Sequence, residues 1–301
     1  QLVAQTGSHA PQALPPASNN NSFDDNNRQT QANGNAMSYD ADGHLLSDGT
    51  RTYTWDDRDH LSQIMQGGTV IASYSYDALG RRSARTENGT TTQYLYDGVD
   101  AVQETQGTTI NPILTGPGID ERYARDDNGG RTYFLTDALG STRLLTDTNG
   151  NAVQRYDYDP YGATTQSSTS YSNPYQYTGR EHDQSGLYYY RARYYTPELG
   201  RFISEDPLQL AAGVNSYAYV AGDPLSYIDS KGLDLTVTLY NGLADHIGVG
   251  VNSPNTFGFY PGGNKYLTPL DISVPGVEKS DVDETPIDSV IIHTTPAQDK
   301  A

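Results

Sequence analysis

The chain has 301 residues, with a formal net charge of −18 and an isoelectric point near 4.5, and this length suits about two domains. Its acidity argues against a nucleic-acid partner or an anionic membrane surface, because either would require clustered Lys and Arg. Cysteine is absent and no apolar run approaches the length of a membrane span, so these residues hold no disulfide, thiolate metal site or cysteine nucleophile.

The first 36 residues are rich in Gln, Asn, Ser and Pro and contain few apolar side chains. Such a segment has little to bury on folding, so residues 1–36 are predicted to be disordered or to form a linker. The chain begins with Gln1 rather than Met, which suggests a piece of a longer protein.

From Met37 onwards the sequence repeats, in units such as "MSYDADGHL", "YSYDALGRRS" and "YDYDPYGATT". Each unit alternates tyrosine with polar residues, which is typical of a strand, and continues into Asp-x-x-Gly, which favours a tight turn. A second alternating run follows, so each unit is predicted to be a β-hairpin. The turn aspartates are spaced by 16, 21, 20, 40 and 22 residues, at Asp40, Asp56, Asp77, Asp97, Asp137 and Asp159.

A single hairpin cannot bury its own apolar face, so a row of hairpins must pair edge to edge into one sheet. The content of 25 Tyr against 5 Phe suits such strands, since a tyrosine ring can pack while its hydroxyl stays in contact with water. Residues 37–190 are therefore predicted to form an all-β, spiralling shell or solenoid of hairpins.

Residues 191–233 end the repeats and carry a distinct series of motifs. "YYYRARYY", "GRFISEDP", "NSYAYV" and "YIDSKGL" follow one another in this order up to Leu233. With the preceding repeats, this series resembles the repeat-associated core of Rhs proteins, relatives of the C subunits of toxin complexes and, more distantly, of teneurin shells. The resemblance implies a hollow β-shell with a core plug that encloses a variable C-terminal toxin.

Two aspartates in the core, Asp206 and Asp229, flank a segment that could pair as strands and bring them together. Adjacent carboxylates cannot both ionise easily, so such a pair can supply a general base for water and a general acid for an amide. A peptide bond held beside the pair gains a large effective molarity, so even a weak protease could cut itself once. Asp-Pro and Asp-Ser are also ordinary turn starters, which is the alternative interpretation.

The resemblance implies where this cut would fall. It corresponds to the bond from Leu233 to Asp234, and Arg201 is predicted to orient the aspartates or tune their charge. The sequence departs from the family at two places: Gln209 stands where a glycine is usual, and "DSKG" replaces "DPxG". Either departure could slow the cut or shift its geometry.

Residues 234–301 change in composition and are predicted to begin a small, separate α+β toxin domain, with strands near 235–240, 247–252, 256–260 and 289–293. "ADHIGVGVN" and "FGFYPGG" resemble the histidine-bearing half of permuted papain-like or NlpC-like amidases. His246 would be the general base there. The nucleophilic cysteine would then have to lie beyond Ala301.

No metal-ligand spacing and no phosphate-binding glycine loop is found, so neither a metal nor another cofactor is predicted. Three functions remain: a self-cleaving carrier of a C-terminal toxin, a structural or adhesive surface shell without cleavage, and a free hydrolase with the repeats as scaffold. The abrupt change of composition at Leu233 and the paired aspartates favour the first. The resemblance also implies the toxin domain as cargo, a cognate immunity protein, and delivery from a bacterium by a type VI or toxin-complex route, to the cell surface or outside.

Overall fold

The protein is described here by a computed structural model, which covers residues 20–127, 129–168, 171–209 and 213–233, together with five strands between 236 and 291. All the strands pair antiparallel. No α-helix occurs in these stretches, and no helix among them has the length and apolar character needed to span a membrane. The predicted all-β fold is confirmed.

Part of the N-terminal segment is structured, which differs from the linker expected for residues 1–36. A three-stranded sheet forms there, from Ser22–Phe23 (β1), Gln29–Ala32 (β2) and Asn35–Ala36 (β3). Ala32 is buried in a cluster that includes Leu45 and Leu187 from later parts of the chain. The segment is too polar to bury a core of its own, and it folds because distant residues supply the apolar surface.

The repeats form one 14-stranded sheet in which each strand pairs with its neighbours in the chain. This confirms the predicted row of hairpins. The strands are Ser38–Tyr39 (β4), Leu45–Ser47 (β5), Arg51–Trp55 (β6), Leu61–Gln66 (β7), Thr69–Tyr76 (β8), Arg82–Glu87 (β9), Thr90–Asp97 (β10), Asp100–Gln106 (β11), Thr109–Thr115 (β12), Arg122–Asp127 (β13), Gly130–Thr136 (β14), Thr142–Thr146 (β15), Ala152–Tyr158 (β16) and Thr164–Gln166 (β17).

The Asp-x-x-Gly turns form as their sequence predicts. At Asp77, one carboxylate oxygen accepts the backbone N–H groups of Leu79 and Arg81 at 2.9 and 3.0 Å, while Gly80 takes a φ of +77°. Asp97 differs, because it pairs directly with Asp100 across a two-residue turn. The same carboxylate contacts to the following backbone recur at Asp40, Asp56, Asp137, Asp147 and Asp159.

The segment after the repeats builds a small sheet that packs against the large one. Its strands are Glu181–His182 (β18), Tyr188–Tyr190 (β19), Arg193–Thr196 (β20) and Arg201–Phe202 (β21), and two 3₁₀ turns lie at Tyr177–Gly179 and Val220–Gly222. Tyr194 packs with Leu61 and Ile64 of β7, whereas Tyr188 packs with Leu145 of β15. Early and late strands of the large sheet therefore share this segment as their core. We call its described residues, 171–209 and 213–233, the central segment, and β18–β21 the central sheet.

A buried ion cluster joins the large sheet to the small one. Arg82 of β9, which is fully buried, contacts Glu181 at 2.5 Å and Asp183 at 2.6 Å, and Arg85 contacts the other oxygen of Asp183 at 2.5 Å. Burial opposes ionisation of Asp183, but the charges of both arginines outweigh it and lower the pKa of Asp183 below its ordinary value.

This cluster predicts a loss of stability in acid. An aspartate whose pKa is lowered by folding stabilises the protein above its ordinary pKa of about 3.9, and that contribution disappears as the pH falls through the lowered value. We expect Asp183→Asn to be less stable at neutral pH and to show a flatter pH dependence below about pH 4. Urea unfolding at several pH values measures this. The control is Asp157→Asn, at an ion pair with Arg143 that is largely exposed; equal slopes for the two variants would contradict the prediction.

Five strands are described after residue 233. They are Thr236–Tyr240 (β22), His246–Val249 (β23), Phe257–Pro261 (β24), Gly276–Ser280 (β25) and Pro286–Ile291 (β26). These strands pair with one another in an antiparallel sheet, in the order β25-β24-β23-β22-β26.

Candidate active site

The structure brings Asp206 and Asp229 together around one arginine, Arg193. Nη2 of Arg193 lies 2.6 Å from Oδ2 of Asp206 and 3.3 Å from Oδ2 of Asp229. All three side chains are at least 98% buried. Two carboxylates that are 23 residues apart in sequence therefore contact the same nitrogen atom in a site closed to solvent.

Asp206 is positioned by the turn that follows β21. Its backbone N–H donates to the carbonyl of Ser216 at 2.9 Å, and its Oδ1 accepts the N–H of Leu208 at 2.8 Å. Gln209 closes this turn, with its N–H donating to the carbonyl of Asp206, and has a φ of +54°. A glycine would adopt that φ without strain, so the departure at Gln209 has a local backbone cost.

Asp229 holds the chain that leads to the predicted cut. Its Oδ1 accepts three consecutive backbone N–H groups, from Lys231 at 3.1 Å, Gly232 at 2.6 Å and Leu233 at 3.1 Å. Three such donors stabilise negative charge on that oxygen. The same side chain therefore contributes a carboxylate to the site and sets the shape of the turn that ends at Leu233.

Gly232 makes that turn possible. Its φ is +71°, and a Cβ atom at this position would lie 2.4 Å from the carbonyl oxygen of Tyr190. Its own carbonyl accepts a hydrogen bond of 2.6 Å from Nε of Arg193. Only glycine fits this close approach, so the glycine of "DSKGL" is required by backbone contact as well as by conformation.

Arg193 supplies the positive charge of the site. Its Nη1 donates to the carbonyl of Ser216 at 3.0 Å, and its Cζ lies 3.6 Å from the centre of the Phe202 ring. From the sequence, the two carboxylates were expected to repel each other and to share a proton. The guanidinium of Arg193 contacts both of them and offsets that repulsion.

Arg201, which was predicted to orient the aspartates or tune their charge, makes other contacts. Nη2 of Arg201 donates to the carbonyl of Asn27 at 2.5 Å, and the guanidinium lies 4.9 Å from the centre of the Tyr217 ring. Burial lowers the pKa of Arg201. His246 begins β23, opposite Tyr240 of β22. Asp234 lies outside the described residues, and Leu233, 7% exposed, is the last one described before it.

Sequence reasoning did not single out Arg193 as a site residue. A signal was present in "YYYRARYY", where the two arginines stand between runs of tyrosine that are expected to pack. An arginine buried among such rings requires carboxylate partners. Among the residues that the structure describes, no group of three or more His, Asp or Glu side chains is arranged to hold a metal ion.

A sequential row of Tyr- and Asp-rich hairpins, packed on a tyrosine-rich central sheet, defines the YD-repeat class of β-shell. Comparison with family models agrees with this class. The chain belongs to the Teneurin YD-shell family, whose model matches residues 16–224.

Individual relatives include bacterial toxins. The tRNA nuclease WapA of Bacillus subtilis is 36% identical over 76% of this chain, and the toxin protein Tse5 of Pseudomonas aeruginosa is 35% identical over 37% of it. These matches cover 10% and 9% of the two relatives, so the chain spans about a tenth of their length. The resemblance to Rhs-type toxin proteins is thus confirmed.

A solved structure with the same fold is the crystal structure of TcdB2-TccC3-Cdc42. It matches with a TM-score of 0.55 and 26% sequence identity, over 65% of this chain and 11% of that chain. The shared region agrees with the β-shell architecture described above.

Proposed function

We propose that this chain belongs to an Rhs-type toxin carrier, a β-shell that encloses a toxin and frees it by cutting its own backbone after Leu233. One observation carries the proposal: Asp206 and Asp229 meet at Arg193, and Asp229 and Arg193 also bind the turn that ends at Leu233. A purely structural pair of turn aspartates would not need to contact the same cation beside that turn.

The proposed cut is a hydrolysis. Water adds to the carbonyl carbon of Leu233 and gives a proton to a carboxylate, for which we assign Asp206, because Oδ1 of Asp229 already accepts three N–H groups. Asp206 then passes this proton to the nitrogen of Asp234 as the bond from that nitrogen to carbon breaks. The carboxylic acid formed at Leu233 loses its proton to solvent, so the products are a carboxylate at Leu233 and an amine at Asp234. Arg193 stabilises the negative charge that develops on the carbonyl oxygen.

Enclosure and release follow from the same proposal. Residues 234–301 are the beginning of the cargo, and after the cut only non-covalent contacts hold the cargo in the shell. The names of the relatives, a tRNA nuclease and a toxin protein, support a toxic cargo but do not identify its target here. We infer delivery out of a bacterium and a cognate immunity protein in the producing cell, as in the resembling family.

Intact mass of the purified full-length protein tests the proposal. We expect two polypeptides separated at the bond from Leu233 to Asp234, formed at a rate that is independent of protein concentration because the reaction is intramolecular. One uncut chain in the folded protein would overturn the proposal and favour a structural shell. A rate that rises with concentration would point to cleavage between molecules.

A further inference from the structure

A second group of charged side chains contacts the turn that ends at Leu233. Arg180 and Arg191, from the central segment, both donate to the carbonyl of Ser230, in the case of Arg180 at 2.9 Å. The N–H of Ala192 donates to the carbonyl of Lys231 at 3.1 Å. These two carbonyls precede that of Gly232, which Arg193 binds.

Three consecutive carbonyls are therefore held by three consecutive residues, Arg191, Ala192 and Arg193. The segment from Ser230 to Gly232 thus lies alongside residues 191–193, as two paired strands would. The difference is that guanidinium groups donate most of the hydrogen bonds, and only the one from Ala192 comes from the backbone. Nothing in the chemistry proposed above uses Arg180 or Arg191. Their contacts nevertheless determine where the segment from Ser230 to Leu233 lies.

Both arginines are fixed by carboxylates from the shell. Nη2 of Arg191 lies 2.8 Å from Oδ1 of Asp100 and 2.8 Å from Oδ1 of Asp120, and Arg180 also contacts Asp120. Asp100 follows the turn between β10 and β11, and Asp120 lies in the turn between β12 and β13. Alternate hairpin turns lie at the same edge of a meander, so both carboxylates come from one edge of the large sheet.

The backbone at this contact is shaped by two turns. Arg191 has a φ of +62° in the two-residue turn between β19 and β20, and Asp120 has a φ of +65° in the turn between β12 and β13. Positive φ values are usual in such turns. The ion pairs therefore join two turns, one from the central sheet and one from the edge of the large sheet.

From this geometry we propose that Asp100, Asp120, Arg180 and Arg191 form a positioning site that holds Ser230 for the cut. This proposal rests on the proposed self-cleavage and adds one condition, that part of the shell must fold before the bond is cut. The segment from Ser230 to Leu233 is held only when the hairpins of β10–β13 have folded onto the central sheet. The cargo would then stay covalently attached until this part of the shell has formed.

Asp120→Asn in the full-length protein tests the proposal. Asparagine has the same shape and tolerates the φ of Asp120, so the fold should remain while the charge that fixes both arginines is lost. We expect the first-order cleavage rate of folded protein to fall by about tenfold or more, since small misplacements of a reacting group have effects of that order. Asp100→Asn removes one ion pair with Arg191, and its amide oxygen can still accept the N–H of Asp120, so this variant should give a smaller fall.

Asp127→Asn is the matched control. Asp127 is also a shell aspartate that contacts the central segment, through the hydroxyl of Tyr171 at 2.5 Å, and it pairs with Arg125 at 3.1 Å. It lies at the opposite end of β13 from Asp120. We expect this variant to cleave at close to the wild-type rate, even if it is as much destabilised as Asp120→Asn.

A second measurement does not depend on cleavage. The background for this measurement is Asp206→Asn, which is expected not to cut itself. On this background, we expect Asp120→Asn to speed amide hydrogen exchange at Ala192 and in residues 231–233. Asp127→Asn on the same background should leave the exchange rates of these amides unchanged. If the wild type cuts itself and Asp120→Asn does so at the same rate, the positioning site is wrong and the proposed function stands. If the wild type does not cut itself, both are wrong.

Discussion

Asp206→Asn is expected to leave the full-length protein in one piece, whereas the wild type separates after Leu233. The substitution removes the carboxylate that we assign to activate water, and loss of a general base slows such reactions by about 100- to 10,000-fold. The asparagine oxygen can still accept the N–H of Leu208, so the turn after β21 should survive. The fraction of cut chain, followed by intact mass over time, measures the effect.

The control for this experiment is Asp48→Asn. Asp48 also accepts backbone N–H groups in a turn, from Thr50 and Arg51, and it pairs with Arg51 at 2.7 Å. It has the same type of local contacts as Asp206 and no place in the proposed chemistry, so its variant should cut at the wild-type rate. Cutting of Asp206→Asn at the wild-type rate would show that Asp206 takes no part in the reaction.

Arg193→Met is expected to lower the free energy of unfolding by about 3–5 kcal/mol, because two buried carboxylates would lose the cation that compensates them. The same change should stop the cut. Urea denaturation measures the stability. Arg143→Met is the comparison at the surface. Arg143 pairs with Asp157, and the two side chains are 43% and 71% exposed. This change should lower the free energy of unfolding by less than about 1 kcal/mol.

A combined variant distinguishes charge from packing as the source of that loss. Adding Asp206→Asn and Asp229→Asn to Arg193→Met removes the uncompensated charges while it keeps the shapes of the side chains. If charge is the cause, the triple variant should be more stable than Arg193→Met alone, although it carries more changes. A triple variant that is less stable than the single one would show that Arg193 acts mainly through its packing on Phe202.

The repeats and their hairpins could be predicted from sequence because their information is local. Alternation of tyrosine with polar residues defines a strand within a few residues, and an aspartate three residues before a glycine defines the turn, as at Asp77. Asp97 is the exception. It is the last residue of β10, and Gly98 comes directly after it and produces a two-residue turn instead.

The pair Asp206 and Asp229 could also be proposed from sequence, through the family resemblance and the order of its motifs. The cation could not be assigned in this way. Arg201 lies five residues from Asp206 and Arg193 thirteen, so nearness in sequence favoured the wrong partner for the pair. In the structure Arg201 is turned toward Asn27 and Tyr217, whereas Arg193 reaches both aspartates.

The sequence by itself determined the class of this protein, a row of β-hairpins that leads into a tyrosine-rich core. Strand alternation and turn residues act between near neighbours in the chain, so a local pattern is enough to encode them. Only the tertiary structure decided which side chains meet. Arg191 contacts carboxylates 91 and 71 positions earlier in the chain. Contacts over such distances depend on how the hairpins pack around the central sheet, and no local pattern of residues encodes that packing.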